Sequence, residues 1–386
     1  MPTLGRSFLS SAAVAVTLAA ALVAPAAAAQ PAAASQPAAA SQPAAAARDP
    51  RPTAVVSLGD SYISGEAARW KGNSADTAAG HQGTDRGTQV YGDTQVNGCH
   101  RSDVAEIISA RLPVAKSINL ACSGARTANV LRASAGGVAF KGEAPQNDQL
   151  AEVAKANNVK VVVLSIGGND LGFGGIVAGC VAAYLYGTAP CNTQEAAIVA
   201  KLPAVTAAVA ATVTDIRATM TAAGYRTKDY RLVLQSYPVP APAANNRRYS
   251  GTAPDARLTV GGCPTLDVDA LWARNTLVPA LSGAIAKAAR QSGTQFLDLT
   301  DAFRGHELCA ASARQSTGKP RSASSEWFRF IDLAAQGQSS ESLHPNYFGQ
   351  QALGRCLALT TATRKNVACH AVPGLPTWAV YLTHQR

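Results

Sequence analysis

Val55-Val56-Ser57-Leu58-Gly59-Asp60-Ser61-Tyr62 is an apolar run that stops abruptly at a small polar turn. A short apolar stretch ending in glycine predicts a buried strand over Thr53 to Leu58, with Ser61 just past its carboxyl end. The same arrangement recurs downstream. Val159 to Ile166 is nearly continuous in Val, Leu and Ile, which suits a strand covered on both faces, and Gly167-Gly168-Asn169-Asp170 follows it directly. Weaker strands are expected over Ser117 to Ala121, Arg231 to Gln235 and Gln295 to Leu299.

Helical stretches alternate with these strands. Ser102 can cap a helix running to about Arg111, with Asp103 and Glu106 near its positive end. Ala204 to Ala223 carries Val205, Val209, Val213 and Ile216 three to four residues apart. Asp267 to Gln291 reads as helix with a break at Pro279, and a last helix should follow Pro345. This alternation predicts a parallel sheet with helices on both faces, and such folds bind ligands beyond the carboxyl ends of the strands. Ser61 and Asn169 both fall there.

The ends of the chain read differently. Arg6, the apolar stretch Phe8 to Val23 and the small residues Ala27-Ala28-Ala29 predict a secretory signal peptide over 1–29. Residues 30–51 repeat Ala, Pro, Ser and Gln, including two copies of Gln-Pro-Ala-Ala-Ala-Ser, and read as a disordered linker. About 335 residues remain from Pro52, enough for a single domain over 52–386 with a C-terminal extension after about 370. No later segment is apolar for long enough to span a bilayer, so the expectation is a secreted, extracellular protein.

The chain carries 34 basic and 24 acidic residues, a net charge of +10. The basic residues are scattered and do not interleave with aromatics, which argues against nucleic acid as a partner and leaves room for attraction to an anionic surface. Cysteines stand at 99, 122, 180, 191, 263, 309, 356 and 369, an even number that predicts four disulfides in an exported chain. Spacing does not choose among the possible pairings. The simplest expectation is sequential: Cys99–Cys122, Cys180–Cys191, Cys263–Cys309 and Cys356–Cys369. No Cys-x-x-Cys pair or compact His/Asp cluster occurs, so neither a metal nor a cofactor is expected.

A serine hydroxyl needs a base within hydrogen-bond reach to act as a nucleophile. Of six histidines, His344 lies in Glu341-Ser342-Leu343-His344-Pro345-Asn346, at a loop-to-helix junction. Glu341, three residues earlier, is the candidate carboxylate to hold its tautomer. The backbone amides of Ser61 and Gly124 and the side chain of Asn169 can supply donors to a developing oxyanion. The elbow Gly-x-Ser-x-Gly is absent, as are P-loop and dinucleotide-binding glycine patterns.

Taken together, these segments resemble the GDSL/SGNH family of secreted esterases and lipases, in its actinobacterial extracellular branch. Gly59-Asp60-Ser61-Tyr62 is similar to the first family block, Asn119-Leu120-Ala121-Cys122-Ser123-Gly124-Ala125 to the second, Gly167-Gly168-Asn169-Asp170 to the third and Ser342-Leu343-His344-Pro345-Asn346 to the last. The resemblance implies Ser61 as nucleophile, His344 as base, and Ser61, Gly124 and Asn169 as the oxyanion hole. It also implies a three-layer α/β/α sandwich around a five-stranded parallel sheet. The first six cysteines are similar to the three-disulfide pattern of secreted members, with Cys356 and Cys369 an additional staple. One departure concerns Glu341, where the family usually has aspartate. Asp332 or a backbone carbonyl are the alternatives for orienting His344.

The implied activity is hydrolysis of carboxylic esters, with lipid or fatty-acyl esters favoured. Phospholipase A activity, carbohydrate-ester deacetylation and a non-catalytic binding role are the alternatives. Leu171, Phe173 and Ile176 are candidates for an acyl channel, and residues 66–98 form a glycine-rich loop that either covers the site or is a plain surface excursion. A monomer making transient contact with a lipid surface completes the expectation.

Overall fold

A computed structural model of the chain describes residues 49–71, 90–251, 255–315, 321–333 and 339–385. The expected signal peptide, nearly all of the linker, and most of the loop over 66–98 lie outside the described residues. Seven strands form one sheet: β1 (Thr53–Gly59), β2 (Lys116–Asn119), β3 (Asn158–Ser165), β4 (Arg231–Gln235), β5 (Gln295–Asp298), β6 (Val367–His370) and β7 (Tyr381–His384). Their order is β2-β1-β3-β4-β5-β6-β7. The first six pair in parallel, and β7 runs antiparallel to β6.

This corrects the expectation of a five-stranded parallel sheet. All five expected strands are present, but the sheet is seven-stranded and mixed. The C-terminal segment adds the rest. Leu297 pairs with Val367, and Val367 to His370 pair with His384 to Tyr381. Each added strand is only four residues long and β7 is largely exposed, so neither offers the continuous apolar run that marks a buried strand.

The helices that frame the sheet and the strand ends include α1 (Ser61–Ser64), α2 (Gln146–Ala156), α3 (Phe173–Tyr186), α4 (Leu202–Ala222), α5 (Val278–Gln291) and α6 (Tyr347–Thr361). α4 packs against α2 and α5 on one face of the sheet, while α6 packs against the turn of helix Glu106–Ser109. The expected helix over Ser102 to Arg111 is thus shorter. The expected break at Pro279 takes the form of a π-helical turn over Ala273–Leu277, directly before Pro279 near the start of α5. Proline has no N–H to give the preceding turn, so the hydrogen-bond register changes there. Val162, Val163, Leu164 and Ile166 are fully buried, each contributing about 1.5–3 kcal/mol. Among the described residues no single helix is long and apolar enough to cross a membrane.

The strand order reverses at β1, with β2 on one side and β3 on the other. The crevice at such a switch point opens beyond the carboxyl ends of the strands. Ser61 follows β1, Gly124 follows β2 and Asn169 follows β3, so three of the candidate residues arrive there by topology alone. The four disulfides join Cys99 to Cys122, Cys180 to Cys191, Cys263 to Cys309 and Cys356 to Cys369, the sequential pairing.

Candidate active site

Gly59 sets the exit of β1. At φ +137°, a Cβ would lie 1.9 Å from the Ser165 carbonyl oxygen, so glycine alone lets β1 and β3 approach this closely. Gln146 at the start of α2 grips this residue by donating to its carbonyl and accepting from its N–H, at 2.8 and 2.7 Å. Asp60 then caps α1, its Oδ1 accepting from the Tyr62 N–H at 3.1 Å. Ser61 becomes the first residue of a single helical turn, with an N–H that has no partner within that turn.

The Ser61 Oγ lies 2.7 Å from His344 Nε2. The other ring nitrogen, Nδ1, is 3.0 Å from the Ser342 carbonyl oxygen. A carbonyl only accepts, so Nδ1 carries the proton and Nε2 is the acceptor for the serine hydroxyl. Leu343 holds the histidine in place from a left-handed backbone at φ +60°. Its carbonyl accepts from the Tyr62 hydroxyl at 2.8 Å, and the Tyr62 ring lies 4.9 Å from the imidazole. Asn346 caps α6 by accepting from the Phe348 and Gly349 amides, which fixes the far side of the histidine loop.

Glu341 is brought near but is used differently from the expectation. Its buried carboxylate accepts from Arg69 Nε, from the Trp70 indole N–H and from the Tyr91 hydroxyl. Asp332 pairs with Arg329 at 3.1 Å. The group that meets His344 Nδ1 in the structure is the Ser342 carbonyl, a backbone oxygen. A side-chain carboxylate already committed to a guanidinium and an indole is not available to the imidazole.

Ser61, Gly124, Asn169 and His344 line one cleft together with Tyr237 and Ser340. Gly124 turns at φ +85°, a conformation that favours glycine and exposes the loop backbone to the cleft. Asn169 donates one amide hydrogen to the Ala125 carbonyl at 2.9 Å and retains a second. Asp170 accepts from the Thr127 backbone N–H and hydroxyl, so the loops after β2 and β3 are clamped to each other.

Tyr237 adds a link that spacing in the sequence gives no sign of. Its hydroxyl donates to Asp60 Oδ2 at 2.5 Å and accepts from the Gly168 N–H at 3.1 Å, tying the Ser61 turn to the Asn169 loop. Burial pushes the Asp60 carboxyl up to about 7, against the hydrogen bonds from Tyr237 and Tyr62. Burial also pulls the His344 imidazole below its ordinary value, opposed by the charge of Glu66 and by the backbone carbonyls it meets.

A sequence profile of the GDSL-like Lipase/Acylhydrolase family matches residues 57–352. The chain belongs to that family. The hydrolase is a GDSL-type enzyme of carboxylic esters. It is similar in fold to an extracellular lipase from Streptomyces rimosus and to phospholipase A1 from Streptomyces albidoflavus NA297. Each is 23% identical, covers 81% of this chain and 100% of its own length, and superposes with a TM-score of 0.47. An aryl esterase of M. smegmatis is 13% identical over 81% of this chain and 99% of its own, with a TM-score of 0.34. No curated protein sequence matches the hydrolase.

Beside this candidate cleft lies a second, apolar cavity that shares Phe173, Val177 and Leu343 with it. Ile176, Leu308 and Ile331 continue its lining. Of the three residues considered for an acyl channel, Phe173 and Ile176 line this space and Leu171 is fully buried in the core.

Proposed function

We propose that Ser61 and His344 form a catalytic pair that hydrolyses fatty-acyl esters through an acyl-enzyme, outside the cell. The observation that carries the reading is the 2.7 Å contact from Ser61 Oγ to His344 Nε2 within a cleft that also holds Gly124 and Asn169. Ser61 Oγ attacks the ester carbonyl as Nε2 takes its proton. The Ser61 and Gly124 amides and the free Asn169 amide hydrogen receive the oxyanion. The carbon–alkoxy bond then breaks and His344 returns the proton to the leaving alcohol. Water, deprotonated by the same nitrogen, attacks the acyl-enzyme, and the serine oxygen leaves with that proton as the acid departs. The chemistry needs only these side chains and water.

The adjoining apolar cavity supports a long acyl chain over an acetyl group. Four disulfides support an oxidising, extracellular setting, in keeping with the expected signal peptide. Turnover of p-nitrophenyl acetate and p-nitrophenyl decanoate by the wild type, Ser61→Ala and Val177→Trp tests both parts. Ser61→Ala should lose about 10⁴-fold or more in kcat on either ester. Val177→Trp, which fills the passage, should lose about tenfold or more in kcat/KM on the decanoate and little on the acetate. Equal rates for Ser61→Ala and wild type would remove the serine mechanism. An unchanged preference in Val177→Trp would remove the acyl role of the second cavity.

A further inference from the structure

Among the residues near the Ser61–His344 pair, one with a buried carboxylate touches both of the segments that carry it, through its backbone on the serine side and its side chain on the histidine side. Glu66 is fully buried. Its backbone N–H donates to the Ser61 carbonyl at 3.1 Å. Its Oε1 accepts from the Ser340 hydroxyl at 3.1 Å, two residues before the carbonyl that takes the His344 Nδ1–H. Both carboxylate oxygens lie within 2.9 Å of His100 Nδ1. His100 is itself buried, sits at φ +48° and stacks on the Tyr91 ring at 4.8 Å. A non-glycine residue held in the left-handed region at such a place marks a position that the surroundings over-determine.

The need for such a group follows from the histidine's own partner. The Ser342 carbonyl fixes the tautomer but carries no charge, while the imidazole becomes a cation when it takes the serine proton. In a dry site an opposite charge close by is worth much more than in water. We propose that Glu66 is the positioning carboxylate of this hydrolase: it ties the nucleophile turn to the histidine loop and stabilises the His344 imidazolium through space, with His100 holding it in place. The proposal rests on the reading of Ser61 and His344 as the catalytic pair.

The electrostatics run in the same direction. Burial pulls His344 down, Glu66 works against that pull, and a charge on His100 adds to it. Burial would push Glu66 up, but the hydrogen bond from His100 and the fields of His344 and His100 outweigh it and hold it below its ordinary value. The other groups acting in this neighbourhood are Lys141, which senses Glu66, and Tyr91, which stacks on His100 and donates to Glu341. The Lys141 ammonium donates to the Gly98 and Ser123 carbonyls.

The pH dependence of kcat/KM in two variants tests this, because they should move in opposite directions. Glu66→Gln keeps the shape and removes the charge. Its acidic limb should move to lower pH, and kcat should fall by about tenfold, short of the loss from deleting a group in direct contact with the oxyanion. His100→Asn keeps a donor for Glu66 and removes the ring that can carry charge, so its limb should move to higher pH. A purely structural role would move neither limb. A folded Glu66→Gln with the wild-type limb and kcat would overturn the proposal. If Glu66→Gln does not fold, Glu66→Asp replaces it: the shorter side chain draws the charge back from His344 and gives up the Ser340 hydroxyl, so a wild-type limb and kcat in that variant overturn the proposal. Ser61→Ala, measured alongside, separates the two levels: its inactivity with an unmoved Glu66→Gln limb rejects Glu66 alone, and its full activity rejects the catalytic pair itself.

Discussion

Glu341 places a full negative charge where no water reaches, between the Arg69 guanidinium and the Trp70 indole. The Trp70 ring in turn lies 3.8 Å beneath the Arg329 guanidinium, which pairs with Asp332. This is a buried ionic network that braces the loop before His344 from behind. Removing one partner of such a network leaves the other charge uncompensated, which typically costs about 3–5 kcal/mol. Glu341→Ala should therefore lower the melting temperature sharply, while kcat per folded molecule stays within about threefold of wild type, since the Ser342 carbonyl still holds Nδ1. Thermal unfolding and active-site titration of the variant check this, and a stable variant with a large loss of kcat would restore Glu341 as the group that orients the base. Position three residues before the histidine marks Glu341 in the sequence as a neighbour of the candidate site. What the sequence does not encode locally is competition for its carboxylate, which comes from residues 250 or more positions away. A separation of 177 residues likewise hides Tyr237, whose hydroxyl meets Asp60.

At the scale of elements, strand ends and staples divide the labour between chemistry and stability. Cys99–Cys122 closes a segment of 23 residues and anchors the turn that leads into Ser123 and Gly124. The Cys122 N–H also donates to the Gly59 carbonyl at 3.0 Å, so this staple couples the second block to the end of β1 that leads into Ser61. Cys356–Cys369 spans 13 residues and ties α6 to β6, away from the cleft. Replacing either pair by alanine should cost about 2–4 kcal/mol through the freed unfolded chain. Only the Cys99/Cys122 double variant should also lower kcat, because only it loosens a candidate oxyanion loop. Equal kcat in the two double variants, each measured below its unfolding transition, would show that the second block is held by its hydrogen bonds alone. β1, β3 and β4 were readable because nearly all their positions are buried and apolar, whereas β2, a partly exposed edge strand, and the short β5 gave weaker signals. β6 and β7 were not, since Val367-Ala368-Cys369-His370 and Tyr381-Leu382-Thr383-His384 mix polar and apolar residues over four positions and gain strand identity only from each other and from β5. Pro279 announced a helix break, whereas the π-helical form of that break depends on packing.

Over the whole molecule, two sets of carboxyl groups pull the pH dependence of stability in opposite directions. Glu143, Asp215 and Asp267 are held below their ordinary values: burial opposes this, but hydrogen bonds from Arg101, Arg132 and Arg257 win. They contribute stability that is present above the unfolded-state value and lost as pH falls through the folded-state one. Glu106 and Asp60 behave in the other sense, each pushed up by burial to about 7. For Glu106 the unfolded chain releases its proton near the ordinary 4.5, while the native protein keeps it until about 7. Across that interval the native state binds more protons, so stability falls as pH rises and then levels off. Glu106 is fully buried, accepts from Gln235 at 2.7 Å through Oε2, and has no hydrogen-bond partner for Oε1 among the described residues. Glu106→Gln removes the titration while keeping the shape. Relative to wild type it should gain roughly 2–4 kcal/mol of stability between pH 4 and pH 8, with Asp60 retaining its own share of the slope. Denaturant unfolding of both proteins across that range reads the difference directly: two curves that diverge with rising pH support the assignment, and two parallel curves would mean that Glu106 is ionised in the core at every pH tested.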